Sequence, residues 1–275
     1  MPENTRGVKV VVVIDAGPVW ISGLGSHTHA RQTRQLQPRP RHVMQPESPI
    51  NRLPPVVIVL TLLIVGIECV FQLANYGMIG GPRGVGWRFD AIEQYGFSTA
   101  VLDRVLVNAD YSFDILKRFV TYPFINIDLT QVAFCAALTL ALGKFTAEYY
   151  GGTKILIVYV LTSIVGALAF GLLANTDFPL LGGYTPVYGL IGAYTYALWL
   201  RLGEAGDNQI LAFRLIGFLL LIQLIFGIVA SFLYETPPPP TWISELSGFV
   251  AGFGLAVLLA PGGWTSFVAR MRQRS

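Results

Sequence analysis

Between Val56 and Ala260 the chain carries six apolar stretches, each long enough to cross a hydrocarbon core as a helix. They run from about Val56 to Ala74, Ile127 to Phe145, Ile155 to Ala174, Pro186 to Leu202, Ile210 to Leu233 and Ile243 to Ala260. About 20 apolar residues suffice for one crossing. Lipid offers backbone amides no partner, so each stretch must satisfy its own hydrogen bonds, and helices do that. The expected fold class is an all-α membrane protein, a six-transmembrane-helix bundle with a long interfacial first loop. Composition agrees, since only 13% of the 275 residues are charged, against about 25% in a soluble domain.

Three regions follow from this pattern. Residues 1–54 hold all three histidines (His27, His29, His42) and no spanning run, and we expect a disordered cytoplasmic tail. The Val10–Ile14 stretch is too short for a signal-peptide core. Either Met44 is the true start, or the tail is a genuine unstructured extension. Residues 55–262 form the membrane domain, and residues 263–275 a basic cytoplasmic tail with Arg270, Arg272 and Arg274. Arg39, Arg41, Arg52, Lys144, Lys154 and Arg201 fall on the same side as that tail if the stretches alternate across the bilayer. The positive-inside rule then places both termini in the cytoplasm, with a bacterial plasma membrane as the expected setting. The net charge of +3 lies mostly at the chain ends, where it reports topology, so no nucleic-acid partner is expected and membrane lipids are. Cys69 and Cys135 each sit within an apolar run, so we expect no disulfide, and neither a cofactor nor a metal site.

The first loop, Gly80 to Arg118, balances five basic residues (Arg83, Arg88, Arg104, Lys117, Arg118) against five acidic ones. Trp87, Phe89, Phe97, Tyr111 and Phe113 are interleaved with them. That mixture suits amphipathic helices at the membrane surface or a small folded cap. Between the fifth and sixth stretches, Pro237–Pro240 predicts a stiff non-helical strap. Gly189 and Gly192 on the fourth stretch, and Gly248 and Gly252 on the sixth, lie at helical spacing. Small residues so placed let two backbones approach closely in lipid, which predicts a tight fourth–sixth pair.

The segment Gly182-Gly183-Tyr184-Thr185-Pro186-Val187-Tyr188-Gly189-Leu190-Ile191-Gly192-Ala193-Tyr194 resembles the GASGAVYGLLGAY type of segment of the rhomboid intramembrane serine proteases. Ser244-Glu245-Leu246-Ser247-Gly248-Phe249-Val250-Ala251-Gly252 resembles that family's AHLGGFLAG segment. Arg118, the run Thr121 to Phe124, Leu142-Gly143, Glu148 and Gly152 match other family positions in order. The resemblance implies a rhomboid-like bundle in which Arg118, Thr185, Pro186, Gly189, Gly192, Gly248 and Gly252 are structural. It also implies that the chemistry is gone. Tyr184 stands at the nucleophilic serine and Glu245 at the base histidine; Gln131 and Cys135 stand at the oxyanion positions. Asn126 replaces a further histidine and Lys117 the tryptophan before Arg118. No catalytic residue is therefore expected, as in a pseudoprotease.

The residues support that expectation independently. A serine hydroxyl needs an adjacent base tuned near neutral pH, and no histidine follows His42. Thr185 before Pro186 reads as a helix N-cap with proline at N1 rather than as a nucleophile. Asp128 is expected at the interface. Glu68 and Glu245 lie deeper and should either bond between helices or line an ion pathway. On the family geometry, Tyr184 and Glu245 would face each other, and a hydrogen bond between them would tie the fourth span to the sixth while the ring closes the former active site. The bland alternative turns Tyr184 into the headgroups as an interfacial aromatic.

The function expected is to bind or regulate transmembrane segments of client proteins, with oligomeric state undetermined. The rivals are an intramembrane serine-type endopeptidase with a nonstandard catalytic pair, and a transporter or channel using Glu68 and Glu245. For the tail, Met44–Ser275 expressed alone should insert and melt as the full chain does; failure to insert, or a much lower melting temperature, would make the tail part of the fold.

Overall fold

A computed structural model of the chain describes residues 53–233 and 239–260. The expected tails, apart from their innermost residues, and part of the proline strap lie outside the described residues. Within them the fold is helical, apart from a single antiparallel bridge between Phe97 and Leu180. The long helices are α1 (Pro55–Asn75), α6 (Leu129–Tyr150), α7 (Gly152–Leu173), α8 (Tyr184–Ala205), α9 (Arg214–Leu233) and α10 (Trp242–Leu259). Short helices fill the first loop: a 3-10 turn at Gly81–Gly86, α2 (Trp87–Tyr95), α3 (Thr99–Leu106), α4 (Phe113–Leu116) and α5 (Arg118–Thr121).

Local chemistry sets the ends. Proline at the first position opens α1, where its missing N–H costs nothing. The Asp128 side chain accepts from the Gln131 amide at 2.8 Å. Gln131 Oε1 reaches back to the Ile127 N–H at 2.9 Å, a capping-box arrangement that starts α6. Asp128, expected at the interface, is thus a cap. Gly151 joins α6 to α7 with φ of 92°, a conformation that other residues avoid.

Five helical stretches are long and apolar enough to cross a membrane: α1, α6, α7, Gln209–Phe226 and α10. α8, the remaining expected crossing, matches α6 and α7 at 22 residues but carries Thr185, Tyr188, Tyr194, Thr195, Tyr196 and Arg201. It can be less apolar because α6, α7 and α10 enclose it and lipid does not. Val187, Leu190, Ile191 and Ala193 are fully buried there. α9 is the opposite case. Phe218, Leu221, Leu224, Ile225 and Phe226 are all exposed, while Leu215, Ile216, Leu219 and Leu220 on the other face pack against the core.

The predicted α8–α10 pairing is present. A Cβ added at Gly252 would strike the Gly189 carbonyl, and one at Gly192 the Phe249 carbonyl. One at Gly248 would lie 2.5 Å from the Thr185 carbonyl oxygen. Backbone lies against backbone. Elsewhere, the Val57 side chain of α1 fills the space over Gly143 of α6, and Leu102 of α3 that over Gly171 of α7.

The first loop folds as a cap. Phe97, Val101, Leu102, Ile115, Phe119 and Tyr122 form a buried cluster with Ala167 and Phe170 of α7. An ion pair ties the loop to α1: Arg88 Nη2 lies 2.7 Å and Nη1 3.0 Å from the two Glu68 carboxylate oxygens. Nη1 also donates to the Asn126 carbonyl at 2.6 Å. Glu68 is therefore not a free pathway group. Its partner comes from the loop, with Gln72 adding a bond at 2.6 Å.

The glycine contacts predict an asymmetry within one helix. Gly252→Val should cost roughly 1–3 kcal/mol or more by overpacking. Gly254→Ala, with nothing within 4 Å of an added Cβ, should stay within about 0.5 kcal/mol of the parent. Thermal or denaturant melts in detergent measure both, and equal losses would show that close approach is not what holds α8 to α10.

Candidate functional site

The starts of α8 and α10 lie side by side, because their glycines bring the backbones together. Between these starts, α6 and α9, lies a cavity of about 620 Å³. Gln131, Tyr184, Thr185, Gln223, Ser244 and Glu245 supply most of its polar lining. Phe134 and Leu138 of α6, with Leu219, Ile222 and Phe226 of α9, make apolar walls. The structure thus brings three of the four positions implied by the resemblance, Gln131, Tyr184 and Glu245, to one cavity. The fourth, Cys135, is fully buried behind it beside Gly183.

The bonding differs from expectation. Tyr184, half-buried, lines the cavity without closing it, and no hydrogen bond joins it to Glu245 among the described residues. The Glu245 carboxylate instead accepts from the side-chain amide of Gln223 on α9. The hydroxyl tie between α8 and α10 sits next door: Thr185 Oγ1 donates to Ser244 Oγ at 3.0 Å, and Ser244 Oγ donates to the Thr241 carbonyl at 2.7 Å. Thr185 is not the N-cap, since Gly183 holds that place and the threonine hydroxyl is spent across the interface. Pro186 sits in the first turn, where a missing N–H is tolerated.

These bonds decide what the site can do. The Thr185 proton points to Ser244, and the Ser244 proton to a backbone carbonyl, so neither hydroxyl is set against a base. Gln131 is held in its capping box through Oε1. Asn126 is 1% exposed, and both polar atoms of its side chain lack partners. Gly182, with φ of 88°, fits against Gln131 and Asn126, where a Cβ would collide.

In the first loop, Arg118 donates to the carbonyls of Asp114 at 3.3 Å and Gly96 at 3.5 Å, which supports a structural role. Lys117 pairs with Asp114 at 2.7 Å and holds that carboxyl below the ordinary carboxylate range. Its ammonium also lies 4.9 Å from the Tyr95 ring centroid. Two groups escaped the sequence reading. Gln223 carried a signal, as an amide within an otherwise apolar run. Arg88 carried none beyond its charge.

Comparison with known proteins fits this geometry. A family model described as the Rhomboid domain matches residues 115–262. The chain is also similar to Rhomboid-related protein 3 of Mus musculus, 26% identical over 147 residues. That stretch covers 52% of this chain and 36% of the mouse protein, so the chain spans little more than a third of that relative's length. With the domain matched over more than half its residues, from the first-loop cap through α10, the chain belongs to the rhomboid family of multi-pass membrane proteins.

Proposed function

We propose that this rhomboid-family protein does not cut peptide bonds but holds transmembrane segments of other proteins in the cavity between α6, α8, α9 and α10. The observation that carries the reading is the state of the hydroxyls beside that cavity. Thr185 and Ser244 form a chain that ends on a backbone carbonyl, while Glu245 is taken up by Gln223. General-base activation needs a base within about 3 Å of the hydroxyl it serves, and no histidine follows His42 to supply one from the membrane domain. The cavity nevertheless stays open and apolar-walled, which suits holding better than chemistry. The transporter reading loses one of its two acids, since Glu68 is bound by Arg88.

The test uses the purified chain in a bilayer, a serine-reactive fluorophosphonate and a generic rhomboid substrate. We expect no covalent adduct, and the substrate recovered intact and co-eluting with the protein. Cleavage that Tyr184→Phe, Thr185→Val or Glu245→Gln abolishes would make the chain an endopeptidase. Failure to co-elute would remove the holding role.

The same proposal sets both termini in the cytoplasm. Lys144, Lys154 and Arg201 cluster where α6 and α8 end and α7 begins, while the segment from Asn175 to Gly183 carries no Lys or Arg. A cysteine placed at Asp177 should react with an impermeant maleimide added to intact cells, and protection there would reverse the orientation.

A further inference from the structure

Two carboxylates are buried among the long helices, and they have met different fates. Glu68 is 2% exposed and is neutralised by Arg88 at 2.7 and 3.0 Å. Glu245 is 4% exposed, yet no Lys or Arg pairs with it among the described residues; its side-chain partners are neutral, the amide of Gln223 and the hydroxyl of Thr241. That amide turns its own carbonyl, Oε1, into a buried position with no partner. Both groups line the cavity, and no basic residue does. The neighbouring hydroxyls of Thr185 and Ser244 donate to each other and to the backbone, away from the acid. This end of the cavity therefore holds a buried carboxylate whose neighbours, the Gln223 amide and the hydroxyls of Thr241, Tyr184 and Tyr188, are all neutral and leave it without a counter-ion. Its complement is a group rich in donors and positively charged, as an ammonium or a guanidinium is.

We propose that the cavity selects transmembrane segments carrying a Lys or Arg about one turn inside the membrane face at which α8 and α10 begin. The cation pairs with the Glu245 carboxylate at the cavity wall. This rests on the holding function proposed above and adds what is held. The apolar walls fit a helix rather than a small amine: Leu219 to Phe226 on α9 rises about 10 Å, two helical turns. Phe134 and Phe226, 59% and 70% exposed, flank that wall on its lipid side. A basic side chain in a membrane helix is costly alone and is found paired or facing a polar cavity. An acid lacking a cation and a segment carrying one answer the same need.

The experiment takes the full chain in nanodiscs with a photo-reactive benzoylphenylalanine replacing Phe226. The probes are Leu/Ala peptides of about 20 residues, identical except one turn from one end, where they carry Lys, acetyl-lysine, Gln or Leu. We expect the Lys peptide to bind and cross-link at least tenfold better than the other three. Glu245→Gln should erase that advantage and leave the Leu peptide within about twofold of its original affinity. The acetyl-lysine arm removes the charge from the probe alone, so the result stands even if the Glu245 variant fails to fold. Equal cross-linking of all four peptides would overturn the charge selectivity while leaving the holding function intact. No cross-linking of any peptide would remove both. Hexadecylamine binding in a Glu245-dependent way, with no advantage for the Lys peptide, would assign the site to a small amphiphile and overturn the proposal.

Discussion

The contact of α8 with α10, glycine against backbone, is the constraint from which the rest of the site follows. In lipid, helices gain little by hiding apolar side chains from one another, so association depends on close van der Waals fit and interhelical hydrogen bonds. Gly189, Gly192, Gly248 and Gly252 supply the fit. At that separation even hydroxyls on short side chains can meet, which is why Thr185 reaches Ser244 at 3.0 Å. Gly166 of α7 completes the packing beneath this pair, where a Cβ would run into the Thr185 methyl. Tyr184 and Glu245 then line one cavity because each is one residue from a member of the tie.

On this scaffold, most of the groups that the resemblance aligns with chemistry positions take part in local bonding or packing. Gln131 caps a helix, Glu245 receives an amide from α9, and Cys135 is buried beside Gly183. Asn126 keeps its side chain unbonded while its carbonyl anchors Arg88. An interior donor or acceptor without a partner costs about 1–3 kcal/mol, so the Asn126 side chain is a net cost to the fold at this position. Arg88 shows the reverse. It joins the first loop to α1 through a buried acid, and removing one member of such a pair exposes the full desolvation cost of the other.

Much of this was legible in the sequence because it depends on local pattern. The six apolar stretches map onto the long helices, and glycine spacing foretold the α8–α10 pairing. The D-x-x-Q pattern of Asp128 and Gln131 is a capping-box signal that sequence alone would have supported. What was not legible depends on distance across the fold. Nothing near Arg88 in the chain points to Glu68, twenty residues earlier and on another element. Likewise, the Glu245 partner was set by where α9 stands, and no periodicity encodes that. The hydroxyl expected to cap α8 was two residues from the true cap and found a partner on another helix, a choice only tertiary packing makes. α8 itself is less apolar than a lipid-facing span because its neighbours are protein.

The two sides of the cavity are held by interactions of different strength. On the α8–α10 side, backbone contact at three glycine positions leaves no room to separate or slide without losing the fit along the helix. On the α9 side, the Gln223–Glu245 hydrogen bond is the polar tie near the cavity, and Leu215, Ile216, Leu219 and Leu220 pack their side chains against the core with few close backbone approaches beyond the turn before the helix. Hydrogen bonds between membrane helices average only about 0.6 kcal/mol, comparable to thermal energy. The wall that carries Tyr184 and Glu245 is therefore held by backbone contact, and the wall facing them by side-chain packing and one hydrogen bond. The Glu245 carboxylate lies within reach of α9 and accepts from Gln223 there, so it bears on the helix that close backbone contact holds least. A catalytic dyad needs both partners rigid to a fraction of an ångström; a holding site gains from one rigid wall and one that adjusts to the segment it meets.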